Sequence, residues 1–90
     1  MAQDSPHIPA GWSRISRDGV EMLSRTFSFD NFSSAMAFAG RVGEAADAAD
    51  HHPELIVAWG RVTVLWWSHD HGGITDRDIS LAETTDRLYS

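Results

Sequence analysis

The sequence contains no cysteine, so neither a disulfide framework nor a thiolate metal site is available to it. Basic side chains are few. Seven Lys and Arg stand against thirteen Asp and Glu, a formal net charge of -6. That balance argues against a nucleic-acid partner, because phosphate-backbone binding needs clustered Lys and Arg. No apolar run approaches the roughly 20 residues of a membrane-spanning helix. Residues 1–10 also lack the apolar stretch of a secretory signal. The expectation is a soluble, cytoplasmic protein with no membrane partner.

What is present suits one small domain. Ninety residues with a 42% hydrophobic share and four tryptophans can form a single core. A chain this short with so much aromatic surface is expected to associate with its own copies, as a homodimer or homotetramer.

Residues 1–10 hold two prolines and small polar residues and read as a flexible arm, with the ordered domain over 11–90. After Gly11-Trp12, residues 13–16 are a weak strand candidate. The turn signal Arg17-Asp18-Gly19 and an imperfect alternation over 20–29 complete a hairpin. Asp30 or Asn31 can cap a helix over 32–51, where Phe32, Ala35, Ala39, Val42, Ala46 and Ala49 recur at three- and four-residue steps. Pro53 ends it. Apolar residues 55–59, a Gly60-Arg61 turn and a strand over 62–69 make a second hairpin, with large apolar groups on both strand faces. Thr75-x-x-Asp78 has the form of a capping box before a second helix over 76–88. The order strand, strand, helix, strand, strand, helix predicts an α+β fold, a four-stranded antiparallel sheet with both helices on one face.

The stretch from Asp47 to Pro53 carries the chemistry. His51 and His52 lie between the helical pattern and a proline, which forces His52 into an extended conformation while His51 can close the last helical turn. Asp47 and Asp50 are spaced to favour the charged form of His51. Glu44, Asp47 and Asp50 also set three carboxylates against the negative end of the helix dipole, where a purely structural helix more often carries Lys or Arg. A solvated acidic helix end accounts for the same residues. His51, His52 and His69 together would make three ligands, enough for a catalytic zinc, but adjacent histidines point apart and the His-x-x-x-His spacing is absent. No serine sits in a nucleophile elbow. General acid–base catalysis without metal or cofactor fits this set best.

The run Phe27-x-Phe29-x-x-Phe32-x-x-Ala35-x-x-Phe38-x-x-x-Val42, then Ala46-Asp47-x-x-x-His51-His52-Pro53-Glu54, resembles the pterin-4a-carbinolamine dehydratases. Trp59, His69, Asp78 and the early Gly11-Trp12 extend the similarity over nearly the whole chain. The resemblance implies dehydration of a 4a-hydroxytetrahydropterin to the quinonoid dihydropterin, without cofactor, in tetrahydrobiopterin recycling for aromatic amino-acid hydroxylases. It makes His51, His52 and His69 the catalytic candidates. Asp47, Asp50, Asp78 and Trp12 become candidates for the pterin-binding surface. Helix capping is the competing role for Asp78, and core packing for Trp12. The chain departs from the family pattern in having only residues 1–10, with no helical character, before Gly-Trp, where relatives commonly have a helix. Asp47 stands for the usual glutamate, and Leu55 for a usual aromatic. The alternative is a non-catalytic dimerisation or assembly module of the same fold.

Overall fold

The protein is described by a computed structural model covering residues 7–89. The first six residues of the expected arm lie outside the described residues. Within the rest of it, Ile8 packs against the core and Pro9 accepts a backbone bond from Trp12.

Strands β1 (Ser13–Arg17) and β2 (Val20–Ser28) form the first hairpin. Its turn places Asp18 at φ 54 and Gly19 at φ 82, the paired positive values that suit a two-residue hairpin loop. Helix α1 (Phe32–Ala49) starts at Asn31, whose side chain accepts from the Ser34 N–H at 2.8 Å. Strands β3 (Glu54–Ala58) and β4 (Arg61–Trp66) make the second hairpin, and helix α2 (Asp76–Tyr89) closes the chain. All strand pairs are antiparallel, in the order β1-β2-β4-β3.

One face of the sheet carries the core. Leu23 and Phe27 of β2 and Val62, Val64 and Trp66 of β4 meet Ala35, Phe38, Val42 and Ala46 of α1 and Leu81 and Ala82 of α2. Both helices therefore lie on that face, as the pattern predicted. The alanines on α1 let it approach the sheet closely, and Phe38 fills the gap against Phe27 and Phe29, at 4.9 and 5.2 Å between ring centroids.

The boundaries differ from expectation at two places that matter for the site. Helix α1 stops at Ala49, so His51 lies beyond its last turn. Asp50 takes the left-handed conformation, φ 51 and ψ 45. The Asp50 N–H reaches the Asp47 carbonyl at 3.2 Å and the His51 N–H reaches the Ala46 carbonyl at 3.1 Å, a Schellman closure. Strand β4 ends at Trp66 rather than at His69. Ser68 leaves the ladder to bridge Gly73, and His69 opens the short 3-10 turn His69–His71.

Candidate active site

Three local structures converge at one end of the sheet: the closure of α1, the short turn after β4 and the first turn of α2. Between them lies a cavity of about 370 Å³ lined by Asp50, His51, His52, His69, Asp70 and Arg77. All three candidate histidines are in that lining, although His69 is far from the other two in sequence.

Each imidazole is held differently. His51 is 8% exposed, lies flat against Trp66 (8° between planes, 5.9 Å between centroids), and its Nε2 is 2.6 Å from Asp78 Oδ1. His52 is exposed, and its Nε2 is 2.9 Å from Asp47 Oδ1. Asp47 therefore serves His52, not His51 as its helical spacing suggested. The reason is the left-handed turn at Asp50, which takes His51 off the helix. The His69 ring packs on Trp67 at 4.7 Å.

Asp78, which the resemblance offered for the pterin-binding surface, is fully buried behind His51 and is not among the residues lining the cavity. It keeps half of the expected capping box, since Thr75 N–H donates to its Oδ2 at 2.9 Å. The Thr75 hydroxyl lies 2.8 Å from Ser68 Oγ and 3.4 Å from the same Asp78 oxygen. Trp12 is likewise absent from the cavity. It is buried in the core, edge-on to Phe27, with Nε1 donating to the Asp86 carboxylate at 3.0 and 3.2 Å. The structure thus places it among the core residues.

The spacing marked neither Arg77 nor Asp70. Arg77 donates to the Ala49 and Asp50 carbonyls at 3.2 and 3.1 Å, supplying from α2 the positive charge that the end of α1 lacks. The missing local cation was the available clue. Asp70 accepts from His71 Nδ1 at 3.1 Å; this bond, with its own backbone amide second, holds the Asp70 carboxyl below the usual carboxylate range. The cavity rim thus keeps a negative group at neutral pH. Among the described residues no three His, Cys, Asp or Glu side chains are grouped to hold a metal ion.

Three imidazoles around one cavity, two of them bonded to carboxylates, can both donate and accept protons on a single small molecule. A family model described as pterin 4 alpha carbinolamine dehydratase matches residues 2–88. The chain belongs to the pterin-4a-carbinolamine dehydratase family. A Chlorobium luteolum protein named "Putative pterin-4-alpha-carbinolamine dehydratase" is 50% identical over 78 residues, 87% of this chain and 68% of that one. A relative of the same name from Marinobacter nauticus is 44% identical over 78 residues, 87% of this chain and 70% of that one. The crystal structure of a transcriptional coactivator/pterin dehydratase from Brucella melitensis superposes with a TM-score of 0.81 at 34% identity, covering 90% of this chain and 84% of that one. A pterin dehydratase-like protein identified as a RuBisCO assembly factor in the alpha-carboxysome shares the fold, with a TM-score of 0.75 at 16% identity over 93% of this chain and 95% of that one.

Proposed function

We propose that the protein dehydrates a 4a-hydroxytetrahydropterin to the quinonoid dihydropterin, as a hydro-lyase in pterin recycling. The observation that carries this reading is the convergence of His51, His52 and His69 on one cavity. The reaction breaks the bond between C4a and its hydroxyl, removes the N5 proton and forms a C4a=N5 double bond, releasing water. One imidazole protonates the departing hydroxyl and another takes the N5 proton, so the site gains no net charge. Asp50, which lines the cavity, is the proposed acceptor of a pterin N–H bond.

The direct test is dehydration of a synthetic 4a-hydroxytetrahydropterin, followed by the absorbance of the quinonoid product. Turnover above the buffer-catalysed rate is expected, unchanged after dialysis against a chelator. The alternative, a non-catalytic dimerisation or assembly module, draws on the exposed Phe32, Met36, Ile56 and Trp59. It predicts no turnover above buffer in the same assay.

A further inference from the structure

We infer that Asp78, gripped by Ser68 and Thr75, is a positioning residue that keeps a proton on His51 Nε2 and leaves Nδ1 as the atom that exchanges protons with the substrate. The second half rests on the dehydratase reading; the first does not.

At Asp78 Oδ2 the Thr75 backbone N–H is a donor that cannot be reversed. Asp78 Oδ2 receives the Thr75 backbone N–H at 2.9 Å and the Ser68 hydroxyl at 2.8 Å. The Thr75 hydroxyl lies 3.4 Å from the same oxygen and 2.8 Å from Ser68 Oγ, so whichever of the two hydroxyls donates to the other, one of them remains to donate to Oδ2. Oδ2 is therefore an acceptor and carries no proton. Ser68 itself is fixed from both sides, with its N–H on the Gly73 carbonyl at 2.8 Å and its carbonyl taking the Gly73 N–H at 3.3 Å.

The remaining short contact joins Asp78 Oδ1 to His51 Nε2 at 2.6 Å. One proton lies on this line, because a lone pair on Nε2 facing a carboxylate lone pair at that distance would be repulsive. Nε2 is then the donor, whether His51 is neutral or charged. The two states of the ring differ only at Nδ1, which bears a lone pair in one and a proton in the other. The ring also forms part of the cavity wall, and no buried side-chain nitrogen or oxygen among the described residues lacks a partner. Nδ1 accordingly meets the cavity. Stacking on Trp66 keeps the ring plane from turning.

The discriminating variant is Asp78→Asn. The Thr75 N–H and the Ser68 hydroxyl both demand an acceptor, so the new amide must place its oxygen there and its NH2 against His51. Nε2 then becomes the acceptor, and the neutral ring carries its proton on Nδ1, facing the cavity in the wrong state to accept another. Long-range 1H–15N correlation spectra of the labelled protein read the tautomer directly, with the His51 signals assigned by their loss in His51→Gln. The parent is expected to show Nε2–H and Asp78→Asn to show Nδ1–H, with turnover lower by roughly 10²–10⁴-fold. Ser68→Thr, which keeps the hydroxyl, should retain the parent tautomer. A parent with neutral His51 protonated on Nδ1 overturns the proposal, and that measurement needs no variant to fold. Asp78→Asn showing Nδ1–H with undiminished turnover overturns the role given to Nδ1. A parent that shows Nε2–H but dehydrates no 4a-hydroxytetrahydropterin upholds the positioning role and refutes the enzymatic reading alone.

Discussion

His51, His52 and His69 differ in what their removal leaves behind, and this decides how alanine variants should be read. Loss of an imidazole that moves a proton in the transition state should lower turnover by roughly 10²–10⁴-fold at each of the three. His71, bonded to Asp70 and outside the cavity wall, should matter only a few-fold. His51→Ala has a second effect. It opens space beside Trp66 and leaves one oxygen of the buried Asp78 without its donor, a loss of about 2–4 kcal/mol by analogy with other buried polar groups. His51→Gln offers Asp78 an N–H and should unfold at higher temperature than His51→Ala while remaining as inactive. His52, on the surface, should show a rate loss with little change in melting. Parental turnover in all three alanine variants would end the acid–base assignment.

That His51, His52 and His69 share one cavity was legible in the sequence through the family resemblance, which grouped them although His69 is distant in the chain. The partners were not. Spacing put Asp47 and Asp50 in reach of His51, but the left-handed residue at 50 turns His51 towards Asp78 and leaves Asp47 to His52. A single backbone dihedral carries that information, and residue spacing does not report it.

At the scale of elements, the closure of α1 brings the site together at some expense in stability. An aspartate in the left-handed region lies where glycine is favoured, and its carboxylate adds to the negative end of the helix dipole. Arg77 offsets this from α2 through the Ala49 and Asp50 carbonyls. Asp50→Gly should therefore stabilise the fold by about 1 kcal/mol, raising the melting temperature by roughly 4–8 °C for a domain of this size. The same change removes a carboxylate from the cavity wall, so KM for the pterin should rise by roughly tenfold or more if it accepts a pterin N–H. Calorimetry and steady-state kinetics on one preparation test both. A variant that is less stable than the parent would show that Asp50 is held by contacts of its own. The strands and helices themselves were readable from alternation and from three- and four-residue steps. Their ends were not, because Ser68 leaves β4 to pair with Gly73, a contact set by the loop and not by any local propensity. Helix α2 likewise buries Leu81, Asp78 and Thr85, since the core and the Trp66 and His51 partners set its orientation more than its weak apolar stripe.

For the whole molecule, the second sheet face decides what to expect. Its apolar centre is already covered within one chain. Met22 and Leu65 are each 4% exposed, and Arg17 of β1 reaches across to Glu54 of β3 while lying over Trp67. The Arg17 hydrogen bond lowers the Glu54 carboxyl below its ordinary range. The pair's contribution is accordingly present above the usual glutamate pKa and is lost as pH falls through the lowered value. Being largely exposed, it is small. The flanks of this face remain open, with Ile15 on β1 and Ile56 on β3 at 37% and 49% exposure, and both strands are unpaired sheet edges. We therefore expect a homodimer that extends the sheet or covers this face. Ile56 lies on an edge strand and on the open face, so Ile56→Glu places a charge in either arrangement and should weaken association by at least about tenfold. Sedimentation equilibrium of the parent and Ile56→Glu, from micromolar to millimolar protein at neutral pH, is the measurement. A parent that stays monomeric at the highest concentration refutes the dimer. A dimer indifferent to Ile56→Glu moves the interface away from this face, to the exposed Phe32, Met36 and Trp59.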